Sequence, residues 1–276
     1  MKRNSIFLLL IAFIPLFFAC KKDKSNNNRP QRLSRVFADG QLEIEYFYMS
    51  DNKPVRRNVY NANNGTSVFS GFRIYEYNKD NLLETITDFG KTNNFVNKYR
   101  ITYDINKQPS RMDDLANDNS IQFYHVFDYN AQGNLSKFSI FNYSTSKKTV
   151  DGFYTYDAHG KLTKLVRYTI SGTTSTKFDS CTFSFNNKKL PSNWNYFESF
   201  LFTSLPNGER TFLDMVCDSS MLYYVNAPPD IFNWVFSGKQ YNSNGNLIKQ
   251  HFNRKHNDGF GVITTTDFDR TYEYIE

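Results

Sequence analysis

The sequence has few cysteines and no apolar run of membrane-spanning length. Three cysteines among 276 residues exclude a small disulfide-stapled scaffold. The one strongly apolar stretch, residues 6–18, is shorter than the roughly 20 residues that a spanning helix needs. No segment longer than about ten residues keeps a helical period, so the sequence also argues against a helical bundle.

The sequence also lacks a large excess of charge of either sign. The 33 basic residues offset 27 acidic ones to give a net charge of +6, and they are dispersed, so we expect no nucleic-acid partner. Asp113, Asp114 and Asp118 lie in a predicted hairpin loop without the turn glycine of a calcium site, and the four histidines lack companion ligands. The sequence contains no phosphate-binding loop or nucleophile elbow. We therefore expect no metal, no cofactor and no catalysis.

Aromatic residues are abundant instead, with 19 tyrosines and 27 phenylalanines, and this composition favours strands. One phrase occurs twice, at residues 127–138 and 155–165. An alternating segment ends in Tyr129 or Tyr156, and Asn or Asp follows. Glycine comes four positions after the tyrosine, and then a polar residue, Leu, any residue and Lys. Asn or Asp favours a tight turn and glycine supplies positive φ, so each copy predicts a β-hairpin.

Weaker copies of the phrase extend along the chain. We call the aromatic residue of each copy the repeat aromatic, and the copies are at Tyr48, Tyr77, Tyr103, Tyr129, Tyr156, Phe185 and Tyr241. The spacing is 26 to 29 residues except for the last interval of 56, which predicts one degenerate copy between residues 190 and 234. A fixed period of this length indicates a repeat architecture.

The hairpins predict an all-β fold, an antiparallel up-and-down meander of about sixteen strands. We expect a closed or nearly closed β-barrel or a rolled sheet, with residues 271–275 available to pair with the first strand. Residues 135–143 carry Lys, Ser and Asn on their two faces, so we expect a water-soluble barrel and not a membrane-spanning one.

The N-terminal segment predicts export and lipidation. Residues 1–19 have the basic and apolar regions of a signal peptide, and residues 17–20 resemble the lipobox of bacterial lipoproteins. We expect lipidation of Cys20, a membrane contact through that lipid, a flexible tether over residues 20–32 and one domain over residues 33–276. The alternatives are an uncleaved anchor and a secretory signal without lipid. The predicted location is the outer membrane, facing the periplasm or the cell surface.

The repeat lapses at about 191–234, which we interpret as an irregular insertion. It forms a cap or plug of the barrel, or else a binding site for a glycan or a protein partner. In the second case aromatic side chains would stack on a sugar ring or a similar ligand. The candidate ligand-binding residues are Trp194, Tyr196, Tyr223, Tyr224 and Trp234.

Two cysteines remain after lipidation, Cys181 and Cys217. Outside the cytoplasm such a pair readily forms a disulfide, although the sequence leaves two separate thiols equally open.

Five basic residues each lie eight positions after a repeat aromatic: Arg56, Arg111, Lys137, Lys164 and Lys249. We expect them to form a row on one face of the sheet. Such a row either attracts a polyanion or keeps the strands soluble and blocks stray edge pairing.

Residues 154–164 closely resemble the YD, or RHS-type, repeat of secreted bacterial wall and toxin-shell proteins. Together with the lipobox, the repeat resembles uncharacterised surface lipoproteins described as having a porin-like β-barrel. The resemblance implies a β-hairpin repeat fold and assigns no catalytic residues.

These observations favour a non-catalytic cell-envelope lipoprotein that acts as a binding or scaffold module. One alternative is a structural shell of the YD-repeat kind. The second is a carboxylate-dependent hydrolase, which would require two acids that converge in a pocket and have perturbed pKa values.

Overall fold

The computed structural model describes residues 31–185, 217–224 and 230–275, and these ranges contain strands and no helix. No helix long and apolar enough to cross a membrane therefore occurs in them. The sixteen strands are β1 (Arg32–Ala38), β2 (Gln41–Tyr48), β3 (Pro54–Asn63), β4 (Thr66–Tyr77), β5 (Leu83–Gly90), β6 (Phe95–Tyr103), β7 (Pro109–Leu115), β8 (Ile121–Tyr129), β9 (Leu135–Asn142), β10 (Lys148–Tyr156), β11 (Leu162–Ser171), β12 (Thr174–Phe185), β13 (Cys217–Tyr224), β14 (Asp230–Tyr241), β15 (Leu247–Asn257) and β16 (Ile263–Ile275).

The strands form a closed antiparallel barrel. Each strand pairs with its neighbours in sequence, and β1 pairs with β16 from Arg32 opposite Ile275 to Ala38 opposite Arg270. Closure removes the unpaired strand edges that an open sheet would expose. The predicted all-β meander is confirmed, and of the predicted forms the structure has the closed one.

The two ends of the barrel differ in their loops. We call the end where β1 begins and β16 ends the base; it carries five-residue loops at 49–53, 78–82, 104–108, 130–134, 157–161 and 242–246. We call the opposite end the mouth. The chain enters at the base, where the Gln31 side-chain carbonyl accepts hydrogen bonds from Asn242 and Asn246, both at 3.0 Å.

The base loops explain the repeated phrase. In loop 130–134 the Asn130 side chain accepts hydrogen bonds from the amides of Gln132 and Asn134, at 3.0 and 2.9 Å. Asn78, Asp104, Asp157 and Asn242 do the same in their loops. The fourth residue of every one of these six loops has positive φ: Asn52, Asn81, Lys107, Gly133, Gly160 and Gly245. The predicted turn mechanism is therefore confirmed, with Asn or Lys in place of glycine in three loops.

A β-bulge follows each of these loops. One residue of the returning strand is skipped in the register, at Val55, Glu84, Ser110, Ser136, Thr163 and Ile248. The Ser136 hydroxyl donates a hydrogen bond to the Asp128 carbonyl across the pair, at 3.1 Å. The extra residue reverses the alternation, so Lys137 faces outward while Phe138 faces the interior.

The repeat aromatics close the interior at the base. Five repeat tyrosines, and also Tyr274 of β16, donate a hydrogen bond from the hydroxyl to the carbonyl of the first or second residue of the preceding strand, at 2.5 to 2.8 Å, in the pairs Tyr48–Leu33, Tyr77–Pro54, Tyr103–Leu83, Tyr129–Pro109, Tyr156–Leu135 and Tyr274–Leu247. These hydrogen bonds give a reason for tyrosine at the repeat position, because a buried carbonyl at the strand start would otherwise lose its partner.

The apolar core lies inside the barrel, between the base and mid-depth. Ile86 and Met112 are fully buried, and Phe138 is 1% exposed. Phe138 packs directly on Gly152 of β10, where an added Cβ would collide with the phenyl ring. Glycine at this position therefore makes room for a large side chain opposite it.

The segment predicted to be irregular contains regular structure. β13 and the first residues of β14 are barrel strands, so the expected insertion does not extend to residue 234. Strands form there although the repeat phrase is absent, because pairing with neighbouring strands stabilises them. Between Phe185 and Tyr241 the described residues form one antiparallel strand pair, β13 with β14. The expected signal peptide, Cys20 and residues 186–216 and 225–229, which make up most of the range 190–234 where the degenerate copy was predicted, lie outside the described residues.

Candidate functional site

The inward-facing side chains become more exposed toward the mouth. On β16 Thr264 is exposed and Phe268 is half-buried, whereas Tyr272 is 3% exposed. On β8 Phe123 is 36% exposed, whereas His125 and Phe127 are each 5% exposed. The interior is thus filled around mid-depth and accessible to water near the mouth. We call this accessible part the mouth recess; its described side chains lie on two walls.

The first wall, on β13 to β16, is aromatic and basic. Phe232 stacks on Trp234, with ring centroids 5.6 Å apart, and on His256, with centroids 4.0 Å apart. The Tyr224 ring meets Phe232 edge-on at 6.0 Å. Arg254 lies opposite Trp234 and donates to the Thr266 hydroxyl at 3.2 Å. This wall offers ring edges and polar groups to the recess.

The structure brings two of the predicted ligand-binding residues together. Tyr224 and Trp234 contact Phe232 on the same inward face. Trp234 is 8% exposed and packs with Phe236 and Phe252, so its ring belongs to the core. Tyr223 lies on β13 opposite Ile231, and Trp194 and Tyr196 fall outside the described residues. Ligand binding by these residues stays a prediction.

The strand register bears on the predicted disulfide. Cys181 of β12 lies opposite Leu222, while Cys217 of β13 lies opposite Phe185. Four residues along β12 therefore separate the two positions, roughly 13 Å at about 3.3 Å per residue. Disulfides join Cα atoms less than about 7 Å apart. This register does not support the bond, which stays a prediction.

The second wall, on β6 to β8, combines an acid, an imidazole and an exposed ring. The register places Tyr99, Asp114 and Phe123 directly opposite one another across three strands. His125 lies one inward position closer to the base than Phe123, with its Nε2 3.7 Å from the Asp114 Oδ2. The buried atoms Asp114 Oδ1 and His125 Nδ1 make no hydrogen bond with the described residues. Burial, together with the charges of Asp114 and Asp88, raises the pKa of Tyr99.

From the sequence, the acidic residues of this wall were predicted in the wrong place. Asp113 and Asp114 were expected in a hairpin loop, but both lie on β7 and face opposite sides of the sheet. Asp113 faces outward and binds Arg100 at 2.8 Å and Arg111 at 2.6 Å. In the sequence, the inward face of β8 is marked by Phe123, His125 and Phe127, which occupy every second position of that strand. No group of acidic, histidine and cysteine side chains fit to hold a metal occurs in the described part of the chain.

Charged pairs also lie deeper in the interior. Arg73 of β4, 3% exposed, binds Asp88 of β5 through two hydrogen bonds of 2.6 and 2.8 Å. Arg57, 6% exposed, lies directly opposite Arg73 on β3. Arg167 and Asp179 form a further pair on β11 and β12. Burial of a charge is costly unless a partner of opposite charge compensates it, so these contacts constrain how the strands pack.

The predicted row of basic residues lies on the outer surface, and most of it is engaged within the sheet. Arg56 covers the Phe72 ring at 4.1 Å, and Arg111 covers Tyr124 at 4.2 Å. Lys137 lies 3.6 Å from a carboxylate of Asp151, and Lys249 lies 2.6 Å from one of Asp269. Lys164 is exposed. These intramolecular contacts favour a solubilising stripe over a polyanion site.

The comparisons with known proteins identify the fold and no family. No protein-family model and no curated protein matches the chain. A porin-like protein from Bacteroides uniformis is similar in structure, with a TM-score of 0.52, 10% identity and coverage of 87% of this chain and 90% of that one. A porin-like protein from Bacteroides vulgatus gives a TM-score of 0.38 at 12% identity, over 88% of this chain and 99% of that one. The first likeness supports the all-β, porin-like barrel fold, and at such identities it carries nothing about activity.

Proposed function

We propose that the chain is a non-catalytic binding module of the bacterial cell envelope, held by a lipid on Cys20, that takes up a glycan in its mouth recess. The placement of the two ends supports this arrangement. The chain enters the barrel at the base, beside Asn242, so the tether would hold the base toward the membrane. The mouth lies at the opposite end and would point away from it.

We propose further that the barrel stands in water. Outward-facing charges pair across neighbouring strands, as Arg35 does with Glu45 at 3.1 Å and Arg100 does with Asp113 at 2.8 Å. A barrel surrounded by lipid requires a continuous apolar outer band. Arginine and lysine on strands around the outer wall are inconsistent with such a band, so the lipid on Cys20 would be the only contact with the membrane.

The observation that carries the proposal is the change in exposure along the inward faces. Phe123 and Thr264 are open to water near the mouth, while fully buried Ile86 and Met112 fill the interior closer to the base. An interior arranged in this way receives a ligand at one end and retains it, whereas a pore would be open along its length. Aromatic rings with polar groups beside them are typical of sites that bind sugars.

The test measures binding of the purified full chain to a printed glycan array. We expect a specific set of glycans to bind, and we expect Phe232→Ala to weaken that binding because it removes the ring between Trp234 and His256. The matched control is Phe153→Ala, since Phe153 is 41% exposed on the outer wall. Absence of glycan binding by the unaltered protein, or equal losses in the two variants, would contradict the proposal.

A further inference from the structure

We propose that Asp114, His125 and Phe123 form a saccharide subsite of the mouth recess, an inference that rests on the proposed function and deepens it. The three residues lie on adjacent strands, with Asp114 and Phe123 directly opposite each other and His125 next on the same inward face. All three face inward; Phe123 is exposed to the recess, whereas His125 is 5% exposed and lies below it.

The first argument is the hydrogen bonding of the two polar side chains. His125 is 5% exposed, and its Nδ1 atom and the Oδ1 atom of Asp114 make no hydrogen bond with the described residues. Buried polar atoms in folded proteins nearly always have partners, because an unmade hydrogen bond costs the desolvation of the atom. Two such atoms on neighbouring strands, beside an accessible ring, are accounted for if a ligand supplies the partners.

The second argument is the chemistry of the atoms. A carboxylate oxygen only accepts hydrogen bonds. When the proton of the neutral His125 ring lies on Nε2, which faces the Asp114 carboxylate at 3.7 Å, Nδ1 is an acceptor. Both atoms therefore require donors. Neighbouring hydroxyl groups of a sugar supply two donors, and the apolar face of the same sugar can lie against the Phe123 ring.

The third argument concerns charge. An ammonium group would also donate hydrogen bonds, but Arg57, a second buried cation beside the Arg73–Asp88 pair, faces the same interior and disfavours an added cation. A neutral hydroxyl-bearing ligand carries no such cost. The interior charges thus favour a neutral saccharide over a cationic ligand.

The experiment compares variants of the full chain with the neutral oligosaccharide that gives the strongest signal on a glycan array, by titration calorimetry. We expect Asp114→Asn and Phe123→Leu each to weaken binding by about tenfold, because one loses a charge-assisted hydrogen bond and the other the ring. The controls are Asp128→Asn, an exposed acid on the outer side of β8, and Phe153→Leu on the outer wall. We expect both to bind like the unaltered protein, and thermal unfolding establishes that each variant is folded.

Each outcome has a distinct meaning. Unchanged binding in Asp114→Asn, Phe123→Leu and a third variant, His125→Gln, would overturn the subsite and leave the proposed function in place. Absence of binding by the unaltered protein would overturn both. A stronger array signal from amine-bearing, cationic sugars than from neutral ones, lost at high salt, would overturn the assignment to a neutral saccharide, because screening acts on ion pairs and not on neutral hydroxyl groups.

Discussion

Replacement of Asp88 by asparagine tests whether the interior ion pairs hold the barrel together. Asp88 neutralises Arg73, which is 3% exposed and lies opposite the second buried cation, Arg57. Burial alone would lower the pKa of the Arg73 guanidinium, but the hydrogen bonds and charge of Asp88 raise it above its usual value. Asp88→Asn would leave two neighbouring arginines without that carboxylate, in a place from which neither can reach water easily.

Removing one member of a buried pair typically costs about 3–5 kcal/mol. At roughly 2–4 °C per kcal/mol for a domain of this size, we expect a fall in Tm of about 6–20 °C. The free energy of unfolding is measured by urea denaturation followed by circular dichroism. Glu45→Gln is the control, since Arg35 of that surface pair is half exposed and such pairs contribute about 1 kcal/mol or less.

A double replacement distinguishes the effect of the Arg73 and Asp88 charges from the effect of the volume that their side chains fill. Arg73→Met with Asp88→Leu removes both charges and keeps apolar volume, and we expect it to recover most of the stability lost by Asp88→Asn. A loss below about 1 kcal/mol in Asp88→Asn would refute the reasoning, because it would mean that water or another group solvates Arg73.

Two further predictions concern the base of the barrel. Lys107 has φ of 60°, at the loop position where two other base loops have Gly133 and Gly160. Lys107→Gly should therefore relieve about 1–2 kcal/mol of backbone strain. The gain is reduced by roughly 0.4–1 kcal/mol, because glycine also gives the unfolded chain more conformational freedom. We expect a higher urea midpoint; a lower one would show that the Lys107 backbone is not strained. Burial raises the pKa values of Tyr48, Tyr129 and Tyr274, so their native forms keep protons that the unfolded chain loses near pH 10. The free energy of unfolding should therefore be at its full value below about pH 10 and decline above it. Ultraviolet absorbance should show these tyrosines ionising only as the protein unfolds. Ionisation of these side chains near pH 10 in the folded protein would contradict their burial.

The sequence predicted the hairpins well because local chemistry determines them. Asn130 and Gly133 act within one turn, and the alternation before Tyr129 acts within one strand, so neighbouring residues carry the whole signal. The two walls of the recess were harder to predict. A bulge such as the one at Ser136 reverses the alternation after every base loop, and no residue type marks such a position unambiguously.

The same reversal hid the interior charges. Arg56 and Arg57 are adjacent in the sequence, yet Arg56 covers an outer ring and Arg57 is buried inside. Composition cannot distinguish these roles, because the difference depends on the skipped residue Val55 and on which strand supplies a partner. The pairing of Arg73 with Asp88 and the approach of Asp114 to His125 arise from register between strands, which local periodicity does not specify.

The pairing of β1 with β16 also determines the order in which the chain can fold. Every other strand meets its partner soon after it is made, whereas Arg32 must wait for Ile275 at the far end of the sequence. Joining such distant segments is slow because the loop that must close is long. Until then β1 offers an open edge, and the charges of Arg32 and Arg35 on that strand hinder pairing with another molecule during the delay.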